Sequence, residues 1–243
     1  MRVCLAQINP AAGDIELNIS THAKWVQFAY KAKADLIAFP ELSLTGYEPE
    51  LAESLATSPD DSRLSVLQEL SDSLNIGIAA GLPTRSGAGV YISLLIFQPG
   101  IPISVYSKQI LHSDELPYFI PGQGQIIFSV KGNKIAPAIC YESLQPEHAR
   151  EAHRLGAGFY LASVAKSKQG IKKARLHYPD IARRYSMAVM MVNSIGYCDN
   201  FFSTGMSAIW DKYGVLSGQL DDIREGMIIY DTSTGEVETI PIG

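Results

Sequence analysis

KIAPAICYESLQPE, residues 134–147, carries a strand, a sharp bend and a helix start in fourteen residues. Its apolar run, Ile135–Ile139, has no polar alternation, which marks a strand covered on both faces, the kind found in parallel sheets of α/β proteins. The run delivers Cys140 to the strand end, and Pro146 opens a helix, because a missing N–H is harmless in a first helical turn. A thiol at such a bend is expected to lie near backbone N–H groups and the positive end of a helix dipole. Both lower its pKa and offer donors to a developing oxyanion. Free Cys is also among the most buried and inert residue types, so Cys140 alone reads as structural. The rest of the chain has to decide.

Working outward, DLIAFP (residues 35–40) is a second buried apolar run, and Ile76–Leu82, Gly158–Val164 and Ala188–Asn193 repeat the pattern. Val3, Leu5 and the Ile8 region read as a first strand, and Met206–Trp210 and Met227–Asp231 as late ones. Helical spacing covers Asn18–Lys33, Asp61–Asn75, Glu147–Leu155 and Lys172–Met187, the last with Pro179 as an expected kink. Gly87–Gly89 reads as a hairpin turn before Val90–Phe97, and Gln98–Gly100 leads to Ile103–Tyr106. Ser113–Gly124, rich in Pro, Gly and aromatics, reads as a loop over a site. Buried strands alternating with helices predict a layered α/β architecture. Without linker, repeat or low-complexity segment, residues 1–243 are expected to form one domain.

Composition excludes several classes. With 47% hydrophobic and 19% charged residues the chain is globular rather than disordered, and a net charge of −5 argues against nucleic acid or an anionic membrane as partner. No apolar run is long enough to span a bilayer, and MRVCLAQIN lacks the apolar core of a signal peptide. Three irregularly spaced Cys (Cys4, Cys140, Cys198) suit a reducing cytosol, so a cytoplasmic location is expected.

Three strand ends carry a reactive side chain directly beyond an apolar run: Glu41, Lys108 and Cys140. Open α/β sheets bind ligands outside the carboxyl ends of their strands, so these ends are expected to converge. The three form a complete chemical set: a nucleophile, a carboxylate whose pKa burial can raise toward neutrality, and a cation for a tetrahedral oxyanion, with the Tyr141 N–H as a second donor. Singly, Glu41 reads as a solvated carboxylate and Lys108 as a surface charge. Their common placement argues against that.

FPELSLTGY (residues 39–47), YSK and DELPYFIPG (106–108 and 114–122) and ICYESLQPEHAR (139–150) resemble the nitrilase, or carbon–nitrogen hydrolase, superfamily. Weaker similarities, such as Asn193-x-x-Gly196 and Gly205-x-Ser207, extend along nearly the whole chain. The resemblance implies a four-layer α-β-β-α sandwich that pairs into homodimers or larger homo-oligomers. It implies a Glu–Lys–Cys triad at Glu41, Lys108 and Cys140, and a second glutamate, Glu115, that orients substrate. It also implies hydrolysis of a non-peptide C–N bond of a small linear amide through a cysteine thioester. Two departures stand out: Ile181 and Arg184 replace an Arg and a Glu common in the family, and the chain ends at Gly243 without the longer tail many members use to clasp a partner.

Cys140-Tyr141-Glu142 is similar to amide-cleaving branches, whereas true nitrilases usually have Cys-Trp-Glu, so nitriles rank below amides and carbamoyl (ureido) amides are the nearest rival. Tyr47 and Tyr118 are candidate substrate-binding residues, with Phe119, Tyr141 and Phe201 as further aromatics near the site. Lys166, Lys168 and Arg175 offer a grip for a substrate carboxylate, but a solvated basic face is the favoured reading. No metal is expected, because His148 and His153 do not share a helix face, and no nucleotide cofactor, because Gly122-Gln-Gly124 matches no phosphate loop. A Cys–His hydrolase using His112 or His177, and a catalytically silent oligomeric scaffold, remain the alternatives.

Overall fold

The computed structural model describes residues 1–242; Gly243, and with it the expectation about the chain end, lies outside them. The first sheet holds β1 (Arg2–Gln7), β2 (Leu36–Ala38), β3 (Gly77–Ser86), β4 (Gly89–Gln98), β5 (Ile101–Ser107), β14 (Glu225–Asp231) and β15 (Val237–Ile242), in the order β15-β14-β1-β2-β3-β4-β5. The second holds β6 (Phe128–Val130), β7 (Asn133–Ile139), β8 (Phe159–Val164), β9 (Ala188–Asn193), β12 (Ala208–Trp210) and β13 (Leu216–Gln219), in the order β13-β12-β9-β8-β7-β6. A separate hairpin pairs β10 (Ile195–Cys198) with β11 (Phe201–Thr204). The central strands β1-β2-β3 and β7-β8-β9 run parallel, as their unbroken apolar runs require, and the flanking pairs are antiparallel.

Side-chain alternation along these strands divides the core into two kinds of layer contact. One face of each sheet packs on the other sheet, joining Val3, Leu5 and Leu36 to Ile135, Leu161 and Met190. The opposite face of the first sheet, with Cys4, Ile37 and Ile78, receives α1 (Ile15–Lys31) and α3 (Ser65–Leu74) through Ile19, Trp25 and Leu67. That of the second sheet, with Ala138, Tyr160 and Val189, receives α4 (Pro146–Arg154) and α5 (Lys168–Tyr185) through Ala149, Ala174 and Tyr178. The short α2 (Ala52–Leu55) lies in the connection before α3. The result is a four-layer α-β-β-α sandwich, as expected. Among the described residues, no helix is long and apolar enough to cross a membrane.

Two helices begin earlier than their apolar spacing predicts, because caps set their starts. Asp14 caps α1 by accepting from the Leu17 N–H at 2.9 Å, and Asn18 is a buried residue inside the helix. The Asn18 side chain bonds both the N–H and the carbonyl of Ala11 at 2.8 Å, pinning the segment between β1 and α1 to the helix. Ser167 caps α5, which therefore opens at Lys168 and not at Lys172. Pro179 sits inside that helix. The short strands β6, β10, β11, β13 and β15 are absent from the sequence reading.

Candidate active site

Four strands deliver polar side chains to one end of the sandwich. β2 leads to Glu41, β5 to Lys108, β7 to Cys140 and β8 to Lys166. Phe39 N–H donates to the Ala79 carbonyl at 2.9 Å, extending the ladder almost to Glu41. The Ser163 hydroxyl reaches across to the Phe39 carbonyl at 2.8 Å, coupling the two sheets beside the site. Cys140 turns the chain with a φ of +44°, a conformation costly for a side-chain-bearing residue and of the kind retained at functional turns. A 3₁₀ turn, Cys140–Leu144, follows, and α4 opens at Pro146 as anticipated. The thiol thus sits at the 3₁₀ turn and not directly on the helix end.

Lys108 Nζ lies between two carboxylates, 2.8 Å from Glu41 Oε1 and 2.5 Å from Glu115 Oε1. All three side chains are buried. Tyr47 Oη donates to Glu115 Oε1 at 2.9 Å, and the His112 N–H to Glu115 Oε2 at 2.7 Å, so Glu115 is held from three sides. Asp114, its neighbour in sequence, points outward to His112 Nδ1 at 2.6 Å. Glu41 Oε2 is buried and has no hydrogen-bond partner among the described residues. Burial pushes the Glu41 carboxyl up, to about 7, against the pull of Lys108. Burial also pushes the Cys140 thiol up, to about 11; the Glu41 charge adds to this while Lys166 and Lys108 oppose it. The lowered thiol pKa anticipated from the bend is therefore corrected: desolvation outweighs the local cations and holds the resting group as a neutral thiol.

Behind the bend, Glu142 ties the two loops together. Its Oε1 accepts from the Ile139 N–H at 2.7 Å, next to Cys140, and its Oε2 from the Gln109 N–H at 2.7 Å, next to Lys108. Tyr106 Oη also donates to Oε1 at 2.7 Å. Burial lowers the pKa of His148 to about 4, so its neutral ring donates from Nε2 to Tyr106 Oη and accepts at Nδ1 from Tyr160 Oη, each at 2.7 Å. His148 therefore belongs to a buried hydroxyl network. Glu142→Ala orphans the Ile139 and Gln109 N–H groups, and should destabilise the fold by about 2–4 kcal/mol, at about 1–3 kcal/mol for each buried unpaired donor with incomplete additivity. Urea unfolding checks this; an unchanged midpoint would show that the two loops hold without it.

The site opens on a cavity of about 200 Å³, with Tyr47, Tyr141 and Phe201 as aromatic walls and Glu115, Cys140 and Lys166 among its polar groups. Tyr47 and Phe201 meet edge to face, their ring centroids 5.6 Å apart. Tyr118 is exposed and Phe119 lies in the inter-sheet core; neither lines the cavity. Tyr118 is thus a correction to the sequence expectation. Ile181 is buried in the second sheet's helix-side core, and Arg184 pairs with Asp180 at 3.1 Å on an exposed face, so both family departures lie outside the cavity wall. His112 lines the cavity with its ring nitrogen on Asp114, and His177 does not line it. Lys166 is the residue that sequence reasoning misplaced: it is buried, with Nζ 3.7 Å from Cys140 Sγ. The available signal was the one used elsewhere, a charged side chain just beyond an apolar strand.

Comparison with known proteins places these features in context. The family model described as carbon–nitrogen hydrolase matches residues 2–241. A glutamine-dependent NAD(+) synthetase of Aquifex aeolicus is 25% identical over 98% of this chain and 43% of its own length. The chain thus spans less than half the length of the synthetases it matches. A nitrilase of Pyrococcus abyssi is 29% identical over 65% of this chain and 62% of its own. Among solved structures, the NitN amidase from Nesterenkonia sp. AN1 superposes with a TM-score of 0.87 at 23% identity, covering 95% of this chain and 92% of the amidase. Structures of variants of that amidase show acrylamide joined by Michael addition to its active-site cysteine, in a glutamate-to-glutamine variant, and butyramide bound in a cysteine-to-alanine variant.

Proposed function

The chain belongs to the carbon–nitrogen hydrolase family, and from that premise we propose that it is an amidase that hydrolyses a small linear amide through a thioester on Cys140. The observation that carries the reading is that Cys140 and Glu115 line one cavity, while Glu115 and the fully buried Glu41 hold between them the Lys108 ammonium, whose charge acts on the Cys140 thiol. Glu41 Oε2, the unpartnered oxygen, takes the thiol proton as Sγ attacks the amide carbon. Lys108 and the Tyr141 N–H receive the oxyanion. Glu41 returns the proton to the nitrogen as the C–N bond breaks, releasing ammonia or an amine and leaving the thioester. It then draws a proton from water, which attacks the thioester, frees the acid and restores the thiol. Glu115, fixed by Tyr47 and the His112 N–H, orients the amide. The small, partly aromatic cavity suits a short substrate, and the bound acrylamide and butyramide of the Nesterenkonia amidase support an aliphatic amide as the first choice.

Ammonia release from aliphatic amides, ω-amides including glutamine, carbamoyl amino acids and nitriles tests the proposal. Turnover of carbamoyl compounds or nitriles with none of any amide would overturn it. For an active amide, kcat/KM should rise with pH as Glu41 ionises near 7, since only the carboxylate accepts the thiol proton, and fall again as the thiol loses its own proton near 11. Glu41→Gln should remove the rising limb together with most of the rate. A pH profile unchanged in that variant would exclude Glu41 as the base.

A further inference from the structure

Lys166 is only 4% exposed and makes no salt bridge among the described residues. Its polar neighbours at Nζ are two atoms of one residue, the Cys140 carbonyl at 3.3 Å and Cys140 Sγ at 3.7 Å. The placement is built into the fold. The Lys166 N–H donates to Asn193 Oδ1 at 2.8 Å, and its carbonyl accepts from Asn193 Nδ2 at 3.1 Å, Ser203 Oγ at 3.2 Å and the Thr204 N–H at 3.1 Å. β9 and the β10–β11 hairpin thus clamp its backbone. Gly170, one turn into α5, leaves room for the aliphatic stem: a Cβ there would lie 3.1 Å from Lys166 Cβ. A buried ammonium held this firmly without a carboxylate requires negative charge from elsewhere.

We infer that Lys166 is a further catalytic residue, the counter-ion of the sulfur and of the oxyanion formed on it. Charge balance supports this. The site holds two carboxylates, Glu41 and Glu115, and two ammoniums, Lys108 and Lys166, and both carboxylates contact Lys108. When the thiol proton passes to Glu41, negative charge leaves the Lys108 side and appears on Sγ, which Lys166 faces. As Sγ bonds to the carbonyl carbon, the C=O π pair moves to oxygen, two bonds from the sulfur that Nζ faces at 3.7 Å. The four charges close among themselves, so Lys166 needs no carboxylate from the substrate. The opposing pulls on the thiol agree, Lys166 acting in the lowering direction. The other titratable groups whose charge acts with that of Cys140 are Glu41, Lys108, Glu115, the hydroxyls of Tyr47 and Tyr178 and the Cys198 thiol.

This inference rests on Cys140 being the nucleophile, and its test needs no amide. Cys140 labelling by neutral iodoacetamide and by anionic iodoacetate is followed by peptide mass spectrometry in the full chain, with Cys140→Ala as the blank. Sγ displaces iodide and the thiol proton leaves to Glu41 or to solvent. Lys166→Met, of similar length without charge, should slow iodoacetamide labelling about tenfold or more at pH 7 and move its pH midpoint up by about one unit, the lower end for a lost neighbouring charge. Lys166→Arg should restore most of the rate, and it serves as the folding control should Lys166→Met melt early. Unchanged iodoacetamide labelling in Lys166→Met would overturn the inference. A loss confined to iodoacetate would also overturn it, and would instead make Lys166 a binding site for a substrate carboxylate. Because labelling is independent of turnover, a failed amide panel leaves the result readable.

Discussion

Cys140→Ala is expected to reduce amide turnover by on the order of 10⁴-fold or more, since a two-step covalent route has no substitute for its nucleophile. The variant should stay folded. Alanine carries the same Cβ at the φ of +44° as cysteine does, so it neither relieves nor adds strain at the turn. The turn is held by bonds that do not involve sulfur: Ser143 Oγ to the Cys140 carbonyl at 2.5 Å and the Glu142 carboxylate to the Ile139 N–H at 2.7 Å. An active amide should still bind, measurable by calorimetry, while ammonia release disappears. In the wild type, rapid quenching during turnover should trap an acyl mass on the Cys140 peptide. Residual turnover in Cys140→Ala above about one per cent of wild type would point to direct attack by water with Glu41 as base, and would reject the thioester.

Lys108→Met should have the largest effect on activity and stability together. It leaves Glu41 and Glu115 buried with their shared cation gone. Breaking a buried pair by removing one partner destabilises by about 3–5 kcal/mol, because the remaining charge is neither paired nor hydrated. Two carboxylates in place of one raise that figure, and protonation lowers it. The pH dependence has a definite sign. Without Lys108 the Glu41 carboxyl, already raised by burial, loses the charge that holds it down and rises further above its unfolded value, so the stability lost relative to wild type is small below the unfolded carboxylate range and grows as pH increases. Thermal melts at pH 5 and pH 8 should therefore diverge from wild type mainly at pH 8. Turnover should fall by about 10²–10³-fold or more, the loss associated with one oxyanion donor. A variant with wild-type turnover, or with equal destabilisation at both pH values, would contradict the assigned role.

The parallel strands were legible because burial on both faces demands continuous apolar runs, and DLIAFP and KIAPAI have little other reading. Glu41, Lys108 and Cys140 were legible for the same reason, since a reactive group directly after such a run stands at the strand end where the sheets open. Lys166 obeys that rule after β8, yet in sequence it merges with Lys168, Lys172 and Lys173, where a basic helix face is the ordinary explanation. The short strands β6, β10, β11, β13 and β15 were not legible, because they have too few residues to establish an alternation and are set by their pairing partners. Helix starts at Ile15 and Lys168 depended on Asp14 and Ser167, single capping side chains that apolar periodicity does not register.

The layered α/β class and the strand-end positions of Glu41, Lys108 and Cys140 follow from local pattern, and Glu115 was singled out by a motif. Three further matters arise only when the chain is folded. Folding turns Tyr118 outward, sets the Cys140 thiol high and the Glu41 carboxyl near neutrality, and brings Lys166 to within 3.7 Å of the sulfur. The physical reason is common to all three. Exposure, desolvation and the distance between charges belonging to different strands are properties of space between chain segments, and no window of neighbouring residues contains them.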